Sequence, residues 1–385
     1  MLYFDHAATT QPLPQVLDTF EQVATRYYAN PSSAHPLGQA ANQLLQQARQ
    51  QIAEILHFSA QEVFFTSSGT ESNNWALQGV LKAVSKVHPD RLQVILSAVE
   101  HPSINQQAHV LEEMGFEVKW LPVDLNGQID LESLSNLLSD QVLMLSTMAV
   151  NNEVGTIQPL KQIAAALHKY PQIVWHVDGV QAVTCQLQLL QHARIDLLTL
   201  SGHKFHAVRG VGILAIRQRV SKQPLLYGGG QEGGLRSSTE NLPAIVATAK
   251  ALRLTAEKQA ATSQKLISFQ GQIYQQLEQS AWKIIGQERA LKAPNIICGI
   301  YAGIPGEVLL NAFADQQVMV STTSACSSRK ANSHTTLSAM GIADNLAGSA
   351  IRFSMSQTTE QDQVDRLLKV IDQVSETFCH DLKGV

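Results

Sequence analysis

Through the middle of this chain, short apolar runs alternate with helical patterns, and that alternation restricts the fold more than any other feature. Residues 63–65, 94–96, 117–121, 142–145, 173–177, 197–200 and 212–216 read as strands. Apolar side chains at helical spacing predict helices over 39–56, 75–84, 104–113, 131–138 and 160–168. Strands separated by amphipathic helices imply a largely parallel sheet with both faces covered, because each crossover helix must pack on the sheet it returns to. Ligands in such a sheet bind beyond the carboxyl ends of the strands, where the loops gather. Those loops carry Thr70, His101, Asn152, Asp178 and Lys204.

The flanks read differently. Residues 1–36 look mostly irregular, with turn formers concentrated in 5–10 (DHAATT) and 30–33 (NPSS). A long helical pattern over 245–277 is expected to cross between domains. Beyond it, a smaller α+β unit reads as strand 295–300, helix 307–314, strands 318–321 and 351–355, and a last helix over 360–378 with Thr358 and Gln361 as its capping box. A length of 385 residues suits about two domains.

Composition closes off several classes of function. With 44% hydrophobic and 16% charged residues the chain can bury a large core, and a net charge of −4 gives no basic surface for a nucleic acid or an anionic membrane. The opening MLYFDHAATT has neither the charged head nor the apolar run of a signal peptide, and no apolar stretch has the length of a membrane span, so a cytoplasmic protein is expected. The four cysteines, Cys185, Cys298, Cys326 and Cys379, form no C-x-x-C pair and fit neither a disulfide framework nor a structural zinc site. No metal site is expected. Cys185 and Cys298 sit in apolar surroundings, as core residues do. Cys326 lies in STTSACSSRKANSH, a polar stretch without periodicity that reads as a mobile loop, and Arg329 and Lys330 beside it would favour the thiolate. It is either a nucleophile or an incidental surface thiol.

The strand-end loops carry the chemistry. Lys204 follows the apolar run 195–200 in LTLSGHKFHAVRGV. A lysine leaving a low-dielectric strand end has its ammonium form disfavoured, and the free amine condenses with aldehydes. Ser67-Ser68-Gly69-Thr70 joins a strand to a helix N-terminus, which suits a phosphate or an ordinary N-cap. Asp178 ends a nearly apolar strand, and a buried carboxylate needs a partner, either a protonated pyridine nitrogen or an Arg or Lys elsewhere in the chain. His101, just after a strand, is placed to stack on a flat ring or to move a proton. Asn151-Asn152-Glu153-Val154-Gly155 is a polar turn suited to a ring hydroxyl or a carboxylate. Arg352, inside the apolar run 350–355, wants a carboxylate in bidentate contact. Phosphate cup, ring acid, stacking histidine, Schiff-base lysine and carboxylate arginine together describe pyridoxal 5′-phosphate and an α-amino acid.

The segments 5–10 (DHAATT), 30–35 (NPSSAH), 70–74 (TESNN), 100–101 (EH), 151–155 (NNEVG), 201–204 (SGHK) and 324–326 (SAC) resemble the motifs of cysteine desulfurases of the NifS/IscS kind, nearly end to end. The resemblance implies an α/β chain of the PLP-dependent transferase fold type I, in the class V aminotransferase family. It implies a large PLP-binding domain over 15–255, with a mainly parallel sheet flanked by helices. A smaller α+β domain from 1–14 and 256–385 would carry the Cys326 loop. A homodimer with its active site at the subunit interface is also implied. By the same resemblance Lys204 would hold the cofactor covalently, Asp178 would pair with the ring nitrogen, Gln181 would contact the ring oxygen, and His101 would stack on the ring and assist proton transfer. Gly69, Thr70, Ser201 and His203 would hold the phosphate together with Thr239 of the partner subunit, and Asn152 and Arg352 would clamp the substrate carboxylate.

The implied reaction converts L-cysteine to L-alanine, leaving a persulfide on Cys326 for an acceptor protein, either an iron–sulfur scaffold or a tRNA-thiolation enzyme. The family pattern is broken at Ser238 and Ser356, where glycines are usual, and at Ala207-Val208-Arg209 after the lysine. No extended tail resembling a scaffold-docking element follows the last helix, so tRNA thiolation is as good a candidate as cluster assembly. A selenocysteine lyase or another PLP enzyme of the same fold is the alternative, and a sulfur-relay partner without chemistry is the bland one.

Overall fold

The computed structural model describes residues 1–286, 288–323 and 336–379. Seven strands form the central sheet in the order Val63–Thr66, Gly212–Ile216, Leu197–Ser201, Val174–Asp178, Val142–Met148, Gln93–Ser97 and Glu117–Leu121. All run parallel except Gly212–Ile216, which is antiparallel to both neighbours. Four interior strands are buried at every position, which is why they read as continuous apolar runs and not as alternating ones.

Each face has its own apolar layer. Ile95, Leu145, Trp175 and Leu198 pack with Leu45 and Ile52 of the helix Pro36–Leu56 and with the first half of the helix Leu242–Gln279. On the other face Leu96, Met144 and Leu197 meet Trp75, Leu77 and Leu81. Neighbours such as Leu197 and Leu198 thus serve opposite layers, and each leucine so buried stabilises the fold by about 1.5–3 kcal/mol.

The helix Leu242–Gln279 belongs to two cores. Its residues up to Leu252 join the first, whereas Leu266, Phe269, Ile273 and Leu277 pack with Phe313, Phe353 and Ile371 in a separate cluster. That cluster surrounds a four-stranded antiparallel sheet ordered Ser321–Thr322, Ala350–Ser354, Ile296–Ile300 and Lys283–Ile284. The chain begins on this second unit, because Leu2–Tyr3 pairs with Val318–Met319 and Asp5 bridges to Ser354. No helix among the described residues is long and apolar enough to cross a membrane.

Four local expectations fail. Residues 1–36 are not mostly irregular, since Pro14–Arg26 is a helix. Pro14 pre-sets its first turn, and Val16, Phe20 and Val23, spaced by four and three, lay one face on the first core. The single helix expected over 104–113 is two, Pro102–Asn105 and Ala108–Glu113, because the Gln107 side chain donates to the Ser103 carbonyl that an unbroken helix would bond through its backbone. The strand expected over 318–321 divides between two sheets, as Val318–Met319 and Ser321–Thr322. Thr358 does not cap the last helix, Gln361–Cys379. Its hydroxyl pairs with Ser356 Oγ at 2.9 Å, and Gln363 Oε1 accepts from the Glu360 N–H at 3.0 Å instead.

Candidate active site

The loops at the carboxyl ends of the parallel strands meet the start of the chain around one cavity of about 380 Å³. Gly69, Thr70, His101, Asn152, Asp178, Gln181, Ser201, His203, Lys204 and Arg352 all line it. Thr239 is exposed and outside that lining. Cys326 lies outside the described residues, as do Arg329 and Lys330.

Asp178 is the anchor of the cavity floor. It is buried at the end of the strand Val174–Asp178, where Asn73 Nδ2 donates to Oδ2 at 2.9 Å and the Val180 N–H donates to Oδ1 at 3.0 Å. No ion pair among the described residues involves it, so no described Arg or Lys serves as the salt-bridge partner that the sequence left open. Its charge is felt by Glu100, His101 and His176. Glu100 is buried and held well above the ordinary carboxylate range, first by burial and then by repulsion from Asp178. His101 is held below the ordinary imidazole range, chiefly by burial and further by Lys204, although Asp178 pulls the other way.

Lys204 leaves the strand Leu197–Ser201 on a short 3₁₀ turn and donates to the main-chain carbonyls of Ala7 at 2.7 Å and Ala8 at 2.8 Å. Gln181 Nε2 donates to the same Ala7 carbonyl at 2.9 Å. The start of the chain thus forms one wall of the site. His203 is also neutral, its pKa lowered to about 4 by burial and by the cations Lys204 and Arg209, and its Nδ1 lies 3.1 Å from Thr9 Oγ1.

The turn Ser67-Ser68-Gly69-Thr70 is both an N-cap and an anion-shaped corner. Ser68 Oγ accepts from the Glu71 N–H at 3.1 Å, and Gly69 packs so closely on the neighbouring strand end that a Cβ there would lie 3.3 Å from Ser201 Cβ. Glu71 is held by Arg236 at 2.7 Å and turns back on the same corner, where its Oε2 accepts from the Ser67 N–H at 2.8 Å, so that N–H is already spent. The usual glycine position is occupied by Ser238, whose N–H donates to Gln231 Oε1 at 3.1 Å; Ser356 turns its N–H to Thr359 Oγ1 at 3.0 Å, at the start of the last helix.

Arg352 comes from the second sheet. Its guanidinium donates to the Asn152 carbonyl at 2.9 Å and to Asp5 Oδ1 at 2.8 Å, while Nε is buried without a partner among the described residues. Glu153 stands beside it. Burial raises that carboxyl to about 7 against the pull of Thr336 and Arg352, and Oε2 has no partner among the described residues.

The donor set fits pyridoxal 5′-phosphate. A buried carboxylate without a cation, a lysine amine, neutral histidines and a helix start with free N–H groups are what a protonated pyridine, an aldehyde, an aromatic face and a phosphate require. Among the described residues no cluster of His, Cys, Asp and Glu could hold a metal ion. Asn73, Asp5 and Glu153, which the sequence shows only as members of motifs, belong to the site, and so does Ser103, two residues after His101. Asn73 follows Thr70 by three residues on one helix and was findable by that spacing. Asp5 was not, since its partner lies 347 residues away.

Fold and cavity together define a pyridoxal-phosphate-dependent enzyme of the fold type I class. A model of the family "Aminotransferase class-V" matches residues 2–367, and the chain belongs to that family. It is 40% identical over 380 residues to a "NifS/IcsS protein homolog" of Lactobacillus delbrueckii subsp. bulgaricus, covering 98% of each chain. It is 34% identical over 376 residues to "Cysteine desulfurase IscS" of Clostridium botulinum, covering 97% of this chain and 94% of the relative. A solved structure titled "NifS-like protein" superposes with a TM-score of 0.90 at 34% identity, over 98% of this chain and 99% of that one.

Proposed function

We propose that this enzyme converts L-cysteine to L-alanine and takes up the sulfur as a persulfide on Cys326. The observation that carries the reading is the convergence of Lys204, Asp178, His101 and Arg352 on one cavity. The likeness to a Clostridium botulinum protein named cysteine desulfurase supports the choice of substrate.

Pyridoxal phosphate, when bound, supplies the electron withdrawal that loosens the bonds around the substrate's α-carbon. Lys204 would hold its aldehyde, Asp178 its ring nitrogen, Gln181 its ring oxygen and His101 its ring face. Gly69, Thr70, Ser201 and His203 would hold its phosphate with Thr239 of the partner subunit in a homodimer. Arg352 and Asn152 orient the substrate by its carboxylate. The Cys326 thiolate bonds to the substrate sulfur as the Cβ–S bond breaks, and the electrons of that bond stay with the carbon fragment, which is protonated to alanine. Cysteine and an enzyme thiol thus become alanine and an enzyme persulfide, with no outside oxidant. The sulfur then passes to an acceptor protein in the cytoplasm, an iron–sulfur scaffold or a tRNA-thiolation enzyme. A division into a large domain over 15–255 and a small one from 1–14 and 256–385, with Cys326 on the small one, belongs to this reading.

The test is alanine release from L-cysteine without any keto acid, in wild type and in Cys326→Ala. The variant is expected to keep the cofactor's absorbance and lose alanine formation. Undiminished alanine from the variant would remove Cys326 from the reaction, and a requirement for a keto acid would turn the reading to transamination.

A further inference from the structure

Asn73, buried on the helix Gly69–Asn74, joins two groups that the proposed chemistry treats separately. Its amide nitrogen carries two hydrogens. One meets Asp178 Oδ2 at 2.9 Å, and the other meets Ser103 Oγ at 2.8 Å. Ser103 Oγ lies in turn 2.8 Å from His101 Nδ1, and the Ser103 backbone N–H donates to that same nitrogen at 3.1 Å.

The directions of these bonds are fixed at both ends. Asp178 as a carboxylate can only accept, so the Asn73 amide must turn Nδ2 and not Oδ1 toward it. A backbone N–H can only donate, so His101 Nδ1 must present its lone pair. Between them, Ser103 Oγ accepts from Asn73 and spends its own hydrogen on His101. Neutral His101 then carries its hydrogen on Nε2, the nitrogen with no partner among the described residues, in a ring that lines the cavity. Reversing any one link would set two donors or two acceptors against each other.

We propose that Asn73 and Ser103 are positioning residues that carry the orientation imposed by Asp178 through to His101 and lock it as the Nε2–H tautomer. Resting on the cysteine desulfurase reading, this narrows what His101 does there. A locked Nε2–H imidazole serves the cavity as a hydrogen-bond donor, and it can take up a proton only by expelling two donors from Nδ1. Burial, with Lys204 nearby, opposes that protonation as well, and Asp178 alone favours it. The ring acid and the stacking histidine are therefore set by one relay of three side-chain bonds.

The experiment is ¹⁵N NMR of the histidine-labelled holoenzyme, with the His101 signals assigned by their absence in His101→Gln. Wild type is expected to show a single tautomer, protonated at Nε2 and bare at Nδ1, unchanged from about pH 6 to 8. In Ser103→Ala the lock is loosened and the signals are expected to shift toward a mixture of tautomers, while Ser103→Thr, which keeps the hydroxyl, restores the wild-type pattern. Asn73→Ala is expected to give a smaller shift in the same direction, because the hydroxyl keeps its hydrogen for Nδ1 but loses the bond that orients it. An Nδ1–H tautomer or an imidazolium in wild type would overturn the proposal outright, whatever the variants do. So would an unshifted His101 in Ser103→Ala, a half-buried position on the short helix Pro102–Asn105 where losing one hydroxyl leaves the apolar cores untouched. The readout needs no turnover, so an enzyme that shows the tautomer but makes no alanine from cysteine would sink the functional reading and leave the relay standing.

Discussion

The strand-end wall of the cavity and the wall facing it are held in place by different means. Asn73, His101, Asp178 and Lys204 stand on or next to strands of one sheet, four of whose interior strands are buried throughout. Asp5, Glu153 and Arg352 meet instead at a seam, where the start of the chain and the second sheet close over the first. The first wall is as rigid as the core behind it. The second depends on a few polar contacts, a single ion pair among them, and so is the wall that a small change should move. In the proposed reaction the first wall receives the cofactor and the second the substrate's carboxylate, so the two can be damaged separately.

The largest effect is expected from Lys204→Ala, which removes the reactive group of the rigid wall without disturbing its scaffold. Turnover should fall by roughly 10²–10⁴-fold, the usual scale for a lost proton-transfer group, and the absorbance of covalently held cofactor should vanish. Melting of the apoprotein should stay close to wild type. A large loss of apoprotein stability would mean that the wall is not independent of its chemistry.

A smaller effect, confined to the seam, is expected from Asp5→Asn. Arg352 keeps its charge but loses the carboxylate that holds it at 2.8 Å. KM for L-cysteine should rise about tenfold, the size of one hydrogen bond to a charged group, with kcat changed by less than about twofold. A fall in kcat with KM unchanged would show that Asp5 serves the other wall.

The smallest effect is a pH dependence. Burial raises the Glu153 carboxyl from 4.5 to about 7 in the folded protein. Its contribution to stability is therefore full below the unfolded value and is lost as pH rises toward 7, because the unfolded chain ionises first. Glu153→Gln stays neutral throughout, so its Tm relative to wild type should improve between about pH 5 and 8. Parallel curves for the two proteins would place no strain at the seam.

The same contrast explains what could be read from the sequence. Strands and long helices were legible because the apolar pattern that marks them is the pattern that buries them, as in 197–200 or along 245–277. Lys204, His101 and Asp178 were legible because strand-end loops are where such a fold gathers its chemistry. The helix Pro14–Arg26 was hidden by the turn-rich segments on either side of it, although Val16, Phe20 and Val23 carry the right spacing. The break at Gln107 depends on one side-chain bond to a carbonyl, which no periodicity reports. Asp5 and Arg352 lie near opposite ends of the chain, and the pairing of Leu2–Tyr3 with Val318–Met319 and of Asp5 with Ser354 brings them together. The Asn73 relay likewise crosses three elements that are far apart in sequence.

The most direct test of the account is the mass of the tryptic peptide bearing Cys326 after the holoenzyme has met L-cysteine without reductant. A gain of one sulfur on that peptide, matched by alanine in solution, is the predicted result. An unmodified peptide beside accumulating alanine would contradict it, because the sulfur would then leave the two walls by a route that does not pass through Cys326.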